Sequence, residues 1–362
     1  MTVATYVCDP ASDPRLGTLF EGRYRIDAPL GRGGFGAVYR ATQIGVERPV
    51  ALKILDARHL ADRDESARFE QEARIVANLD HPHVVRLYEA GRAATGELFL
   101  VMELVVGESL ARRVRRDGPL ADADVVRFGR QILGALVEAH AHGVVHRDLK
   151  TENLQVTRHP RRGDIVKLLD FGIAKAPSIS SGSAPRTRAG LIVGTPKILA
   201  PEQICRDPVT PRTDLYAFGC VVYELLTGRP PFVCRSAGAY ARAHLSETPA
   251  WPVRRGELLA GPLVELVMQC LEKRPEDRPP SAEALLAVWP REASAITASP
   301  TRAHPTPPPP LPSLSPEGPD APTITVRRRP SGRRRAARAW IAAALALVAA
   351  ALAWTVGHAP GG

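Results

Sequence analysis

Two short strings constrain this chain more than any other feature: His146-Arg147-Asp148-Leu149-Lys150-Thr151-Glu152-Asn153 and, about 20 residues later, Asp170-Phe171-Gly172. Their acids and amide stand at the spacing that can gather a hydroxyl nucleophile and two magnesium ions around one phosphoryl group, where catalysis is mostly positioning and charge neutralisation. In that arrangement Asp148 orients the hydroxyl and accepts its proton, while Asn153 and Asp170 hold the metals. A chain that uses them so must carry, upstream and in this order, a phosphate-covering loop and a lysine.

Both are present. Leu30-Gly31-Arg32-Gly33-Gly34-Phe35-Gly36-Ala37-Val38-Tyr39 fits G-x-G-x-x-G-x-V. The glycines let a strand-turn-strand lie close over phosphates, where a Cβ would clash or demand the wrong φ. A dinucleotide-binding fingerprint looks similar but continues into a helix; here an apolar, β-prone stretch from Ala37 to Ala41 follows. Val50-Ala51-Leu52-Lys53-Ile54-Leu55 then matches V-A-I-K, with Lys53 as the phosphate-contacting lysine. Residues 66–79 have helical periodicity, with Phe69, Ala73, Val76 and Leu79 on one face. Glu72 borders that face and is expected to point inward as the ion-pair partner of Lys53, whereas Glu70 faces solvent.

With these motifs in this order, the chain resembles a protein kinase of the eukaryotic-like (Hanks-type) family, in its bacterial serine/threonine branch, over roughly residues 22–290. The resemblance implies an α+β, bilobal fold, with a β-rich N-lobe and a helical C-lobe that includes helices over 121–142, 213–226 and 263–272. It implies ATP and Mg2+ as cofactors and proteins as substrates. In Ala200-Pro201-Glu202, Glu202 is expected to pair with Arg278, and Asp214 to anchor the catalytic loop from the central helix. Lys150 resembles the lysine that contacts the transferred phosphate in serine/threonine kinases, and Thr195 in Gly194-Thr195-Pro196 the threonine that bonds the catalytic Asp and Lys. Met102 takes the gatekeeper position, and backbone groups of Glu103 and Val105 the adenine edge. The nucleotide set is therefore Gly31, Arg32, Gly33, Gly34, Phe35, Gly36, Val38, Ala51, Lys53, Met102, Glu103, Val105 and Gln155. The catalytic set is Lys53, Glu72, Asp148, Lys150, Asn153 and Thr195.

Arg147 is a cation beside the catalytic acid until an anion neutralises it, and phosphorylation of the activation segment supplies one. The segment offers Ser178, Ser180, Ser181, Ser183 and Thr187, with Thr187, or failing it Ser183, expected as an autophosphorylation site. Three positions depart from the family pattern. Gln155 stands where an apolar residue forms the floor under adenine: either it lays its methylenes there and turns its amide outward, or it weakens ATP binding. Ile198 replaces an aromatic on the peptide side, and Thr151 replaces a proline.

The layout around the kinase-like region 22–290 is expected as follows. Residues 1–21 are an extension without strong pattern. Residues 291–326, rich in Pro, Ser, Thr and Ala, cannot bury enough apolar surface to fold and form a disordered linker. Residues 327–338 carry seven arginines, against a formal net charge of +10 for all 362 residues. Such a run alone suggests nucleic acid, but its neighbour points elsewhere. Residues 340–356 are uncharged and apolar with a tryptophan near each end; about 17 residues span roughly 26 Å, near the lower limit for a bilayer core. Arginines on one side and aromatics at both edges match a single transmembrane helix over 339–357. The alternative is an Ala-rich soluble or interfacial helix. The expectation is a single-pass cell-membrane protein with its kinase region in the cytoplasm, residues 358–362 as a short tail, no nucleic-acid partner, and a span able to pack into a homodimer. Five cysteines without metal-ligand spacing (Cys8, Cys205, Cys220, Cys234, Cys270) read as reduced. A pseudokinase scaffold is the competing function, although Lys53, Asp148 and Asp170 are all retained. A small-molecule phosphotransferase is disfavoured by Lys150, the Gly194-Thr195 segment and Ala200-Pro201-Glu202.

Overall fold

The computed structural model describes residues 13–33, 36–55, 63–161, 163–171, 198–292 and 296–298. Its N-terminal half is built on a six-stranded antiparallel sheet: β1 (Leu19–Phe20), β2 (Tyr24–Gly33), β3 (Gly36–Gln43), β4 (Arg48–Leu55), β5 (Leu87–Arg92) and β6 (Leu98–Glu103), in the order β1-β2-β3-β4-β6-β5. Alternation sets its two faces. Tyr39, Leu52, Ile54, Phe99 and Val101 pack with Tyr24 and Ile26 on one side. Val38, Ala51, Leu100 and Met102 turn to the other, toward the main core. Gly36 is required where β3 starts: a Cβ there would stand 2.1 Å from the Ile54 carbonyl oxygen, at φ +138°.

Helix α1 (Arg63–Ala77) lies against the second face of the sheet. Phe69, Ala73, Val76 and Leu79 are all buried, as their spacing predicts. After α1 and β6 a small sheet forms from β7 (Glu108–Ser109), β8 (Leu154–His159) and β9 (Gly163–Leu168). Helix α2 (Leu110–Asp117) starts at Ser109, whose hydroxyl accepts the Arg112 amide, and stops at Gly118 with φ 77°, the two kinds of cap such ends favour.

The remaining lobe is helical. Helix α3 (Asp122–Ala141) buries Val125, Phe128, Ile132, Leu136 and Ala139 at helical spacing. Helix α4 (Pro201–Cys205) and helix α5 (Pro211–Thr227) follow; α5 is enclosed nearly all round, from Thr213 to Leu226, as befits a central helix. Helices α6 (Ala237–Ser246), α7 (Pro262–Cys270) and α8 (Ala282–Val288) complete the bundle. Its far end is closed by Trp289, which donates to the Val126 carbonyl at 3.0 Å and leaves no room at Gly129, where a Cβ would lie 2.4 Å from the indole. The sheet-rich N-lobe and helical C-lobe are those expected, and α3, α5 and α7 begin and end within a few residues of the helices expected at 121–142, 213–226 and 263–272.

Two edges differ from the layout read in the sequence. Residues 13–20 are part of the N-lobe, with β1 paired to β2. Ile296 is buried and β11 (Thr297–Ala298) pairs with β10 (Glu257–Ala260), so the lobe reaches past residue 290. The placement at the cell membrane is corrected: among the described residues no helix is long and apolar enough to cross a membrane. The helix expected over 339–357 lies outside the described residues, with the basic segment and nearly all of the linker. Cys220 and Cys270 are buried free thiols, Cys205 and Cys234 are free thiols nearer the surface, and Cys8 lies outside the described residues.

Candidate active site

The catalytic string forms a loop entering a short turn, Thr151–Asn153, that leads into β8. Asp214 holds this loop from inside α5. Its fully buried carboxylate accepts the backbone N–H of His146 (2.7 Å) and of Arg147 (2.9 Å), and His140 Nε2 lies 2.9 Å from the same group. Arg147 sits at φ 64° and Asp170 at φ 48°, a left-handed conformation that costs a non-glycine residue about 1–3 kcal/mol. The surroundings over-determine it: besides Asp214, the Gln203 side chain donates to the Arg147 carbonyl at 2.9 Å. Thr151, where a proline is usual, donates to Glu224 of α5 at 3.0 Å, a tie that composition alone does not reveal.

The second string is tethered through His146. Its ring is buried, bonds the Leu169 carbonyl at 2.9 Å and packs tilted against Phe171 at 4.9 Å; burial pushes its pKa below the ordinary value. The Asp148 carboxylate then faces Lys150, whose Nζ lies 2.9 Å from Oδ2. Asn153 donates through Nδ2 to the Asp148 carbonyl (2.9 Å) and to Oδ2 (3.2 Å). The amide hydrogens of Asn153 are thereby spent on Asp148, and its carbonyl oxygen is left as a donor of the kind magnesium prefers. Asp170 supplies carboxylate oxygens. Two such ligands, completed by water and substrate phosphate, suit Mg2+; among the described residues no cluster of three His, Cys, Asp or Glu side chains forms a fuller cage.

Lys53 meets Asp170, with Nζ 2.7 Å from Oδ1. Burial works to raise the Asp170 carboxyl, but the Lys53 ammonium outweighs it and holds the pKa below the ordinary value. Glu72 is not at Lys53. It pairs with Arg147, at 3.5 Å, which corrects the expected Lys53–Glu72 pair. Two cations compete for one carboxylate, and α1 sets Glu72 beside the catalytic loop instead of beside β4. Burial raises the Glu72 pKa against the opposing charge of Arg147, and Arg147 keeps its buried Nε without a partner among the described residues.

A cavity of about 530 Å³ opens beside Asp170. Val38, Ala51, Met102, Glu103, Val105 and Gln155, all expected to bind nucleotide, share its wall. Gly31, Arg32 and Gly33 end β2 and Gly36 begins β3, forming the hairpin that Val38 belongs to. Gly34, Phe35 and Thr195 lie outside the described residues, as do Ser178 to Thr187. Leu30, Val85, Leu104 and Leu169 also line the cavity; they read in sequence only as apolar residues of strands and connections. The Glu202–Arg278 pair forms as expected, bidentate at 2.7 and 2.8 Å and fully enclosed.

These groups converge as a phosphoryl-transfer site should, and a family scan agrees with the geometry: residues 24–289 match the family described as "Protein kinase domain". The chain belongs to the protein kinase family. Its relatives put it on the bacterial serine/threonine branch. It is 41% identical over 280 residues to serine/threonine-protein kinase pkn3 of Myxococcus xanthus, covering 77% of this chain and 51% of that protein. It is 40% identical over 272 residues to serine/threonine-protein kinase PknH of Mycobacterium bovis, covering 75% of this chain and 44% of that one. The solved kinase domain of Mycobacterium tuberculosis PknI matches with a TM-score of 0.54 at 26% identity, over 75% of this chain and 96% of that one. The chain spans about half the length of the curated relatives it matches. Kinases of this family use ATP and Mg2+.

Gln155 lies on β8 and lines the cavity, and its amide leaves no buried atom without a partner. The methylenes-inward arrangement therefore carries little desolvation cost. Gln155→Leu should change the affinity for Mg·ATP less than about twofold, measured by titration calorimetry; a tightening of tenfold or more would show that the amide obstructs adenine.

Proposed function

We propose that this chain is an active serine/threonine protein kinase that transfers the γ-phosphate of ATP to Ser or Thr hydroxyls of proteins and autophosphorylates its activation segment. The observation that carries the reading is the convergence of Lys150 and Asn153 on the Asp148 carboxylate. An acceptor hydroxyl brought to Asp148 gives up its proton to that carboxylate, and Lys150, already within reach of the same oxygen, offers its charge to the phosphoryl group in transfer. ATP lies in the cavity under the β2–β3 hairpin with its phosphates toward Lys53. Asn153 and Asp170 would hold Mg2+, which would supply charge to neutralise the phosphates. The test is incubation with labelled ATP, Mg2+ and a protein acceptor: phosphoserine and phosphothreonine are expected, and no transfer to any acceptor would overturn the reading.

The described arrangement is a resting one in this proposal. Arg147 is held by Glu72, so Glu72 is withheld from Lys53. A phosphate on Thr187, or failing it Ser183, would draw Arg147 away and release Glu72. Phosphosite mapping after incubation with ATP should find modification within residues 173–195 in the wild type, and modification confined to other residues would sink this regulatory step. Glu72→Gln should lower kcat even in the phosphorylated protein, because the freed position then offers Lys53 no charge.

A further inference from the structure

Ahead of the kinase match, which begins at residue 24, a short segment is built into the N-lobe. The Gly17 N–H donates to the Ile26 carbonyl at 2.8 Å, and the Ile26 N–H to the Thr18 carbonyl at 3.0 Å. Leu16 and Phe20 pack against the back of the sheet, with Phe20 edge-on to Phe99 at 5.2 Å. Arg15 pairs with Glu97 at 2.6 Å. So anchored, the segment presents Asp13 to the sheet. Asp13 Oδ2 accepts the Tyr39 hydroxyl at 2.9 Å and lies 3.5 Å from the Arg32 guanidinium, while Oδ1 accepts the Arg15 N–H at 3.1 Å.

Both side-chain partners belong to the hairpin over the cavity. Side chains alternate across a strand, so on β3 Val38 reaches the cavity and Tyr39 goes to the opposite face, where it is buried. Arg32 stands on β2 between Gly31 and Gly33. The β2–β3 ladder breaks register twice, between Ile26 and Ala28 and between Pro29 and Gly31, just before the glycines. Backbone pairing therefore defines the set of the hairpin poorly there. Burial first, and then the bond to Asp13, raise the Tyr39 pKa against the opposing influence of Arg32.

We propose that Asp13 is a positioning residue for the phosphate-covering hairpin, clamping β2 and β3 through Arg32 and Tyr39 from the face opposite the nucleotide and so setting the affinity for Mg·ATP. The inference rests on the nucleotide site proposed above. The full chain with Asp13→Ala is expected to bind Mg·ATP about three- to tenfold more weakly, with the KM for ATP raised by the same factor. Its kcat at saturating ATP and its thermal midpoint should stay near wild type, and amide exchange should quicken across residues 36–42. Asp13→Asn keeps an acceptor for the Tyr39 hydroxyl and should restore most of the affinity; Tyr39→Phe should reproduce the loss and add nothing to Asp13→Ala. Unchanged affinity in Asp13→Ala overturns the proposal. So does a fall in kcat and thermal midpoint at constant KM, which would make Asp13 merely structural. A wild-type chain that binds no Mg·ATP overturns the nucleotide site itself, and the clamp with it.

Discussion

Asp148→Asn is expected to lower phosphotransfer to a protein acceptor by about 10²–10⁴-fold, the usual worth of a positioned general base, while Mg·ATP affinity changes little. The asymmetry comes from geometry. Asp148 is absent from the cavity wall that would hold the nucleotide, and its carboxylate is engaged by Lys150 and Asn153. The amide that replaces it keeps one oxygen to accept their hydrogens, so the loop should hold its shape. What disappears is the basic oxygen that takes the hydroxyl proton and the negative charge opposite Lys150. Initial rates with labelled ATP beside calorimetric Kd values measure the split. Equal rates for variant and wild type would refute catalysis by this site.

The largest effect on stability is expected from Arg278→Ala, about 3–5 kcal/mol, the typical cost of stripping one partner from a buried ion pair. Arg278 and Glu202 are both enclosed, and Glu202 also accepts the Thr213 hydroxyl at 2.8 Å. Arg278 does more than pair: it donates to the carbonyls of Glu272 (2.9 Å), Arg212 (2.9 Å) and Lys273 (3.0 Å). For that reason a Glu202→Met, Arg278→Met double variant should recover only part of the loss, although apolar replacement of a buried pair can be neutral elsewhere. Burial tends to raise the Glu202 pKa, but Arg278 overrides it and the folded value lies below the ordinary one. A depressed carboxylate contributes its stability in full above the unfolded pKa and loses it as pH falls through the folded pKa. The gap between wild type and Arg278→Ala, read from urea midpoints, should therefore narrow as pH falls through the carboxylate range. A gap that stays constant down to acid pH would mean that packing around Arg278, and not the pair, carries the effect.

Much of the fold was legible because it depends on local periodicity. The helical spacing of Phe69, Ala73, Val76 and Leu79 names a buried face without reference to distant residues, and the β-prone stretch from Ala37 to Ala41 names a strand. The central place of α5 was legible only through the family resemblance, which set Asp214 on a central helix. The Asp214 anchor and the Glu202–Arg278 pair were legible through motif position, since both join groups whose roles the family pattern carries. Residues 13–20 were not. They show no motif, and their place follows from a two-residue strand, one aromatic contact and one carboxylate, none of which repeats with a period. Val85, Leu104 and Leu169 were missed in the cavity because an apolar side chain that faces a ligand looks in sequence like one that faces the core.

The sequence by itself determined the chemical groups of the site and their order along the chain: Lys53, Glu72, Asp148, Lys150, Asn153 and Asp170. Only the tertiary structure decided which of them touch. Periodicity says that Glu72 lies at the edge of the inward face of α1, but not how far α1 stands from β4. That distance decides a contest between Lys53 and Arg147 for one carboxylate, and between Glu72 and Asp170 for one ammonium. Coulombic attraction falls with distance and with solvent access, so a shift of a few ångströms in one helix changes every partner. Here Lys53 falls to Asp170 and Glu72 to Arg147.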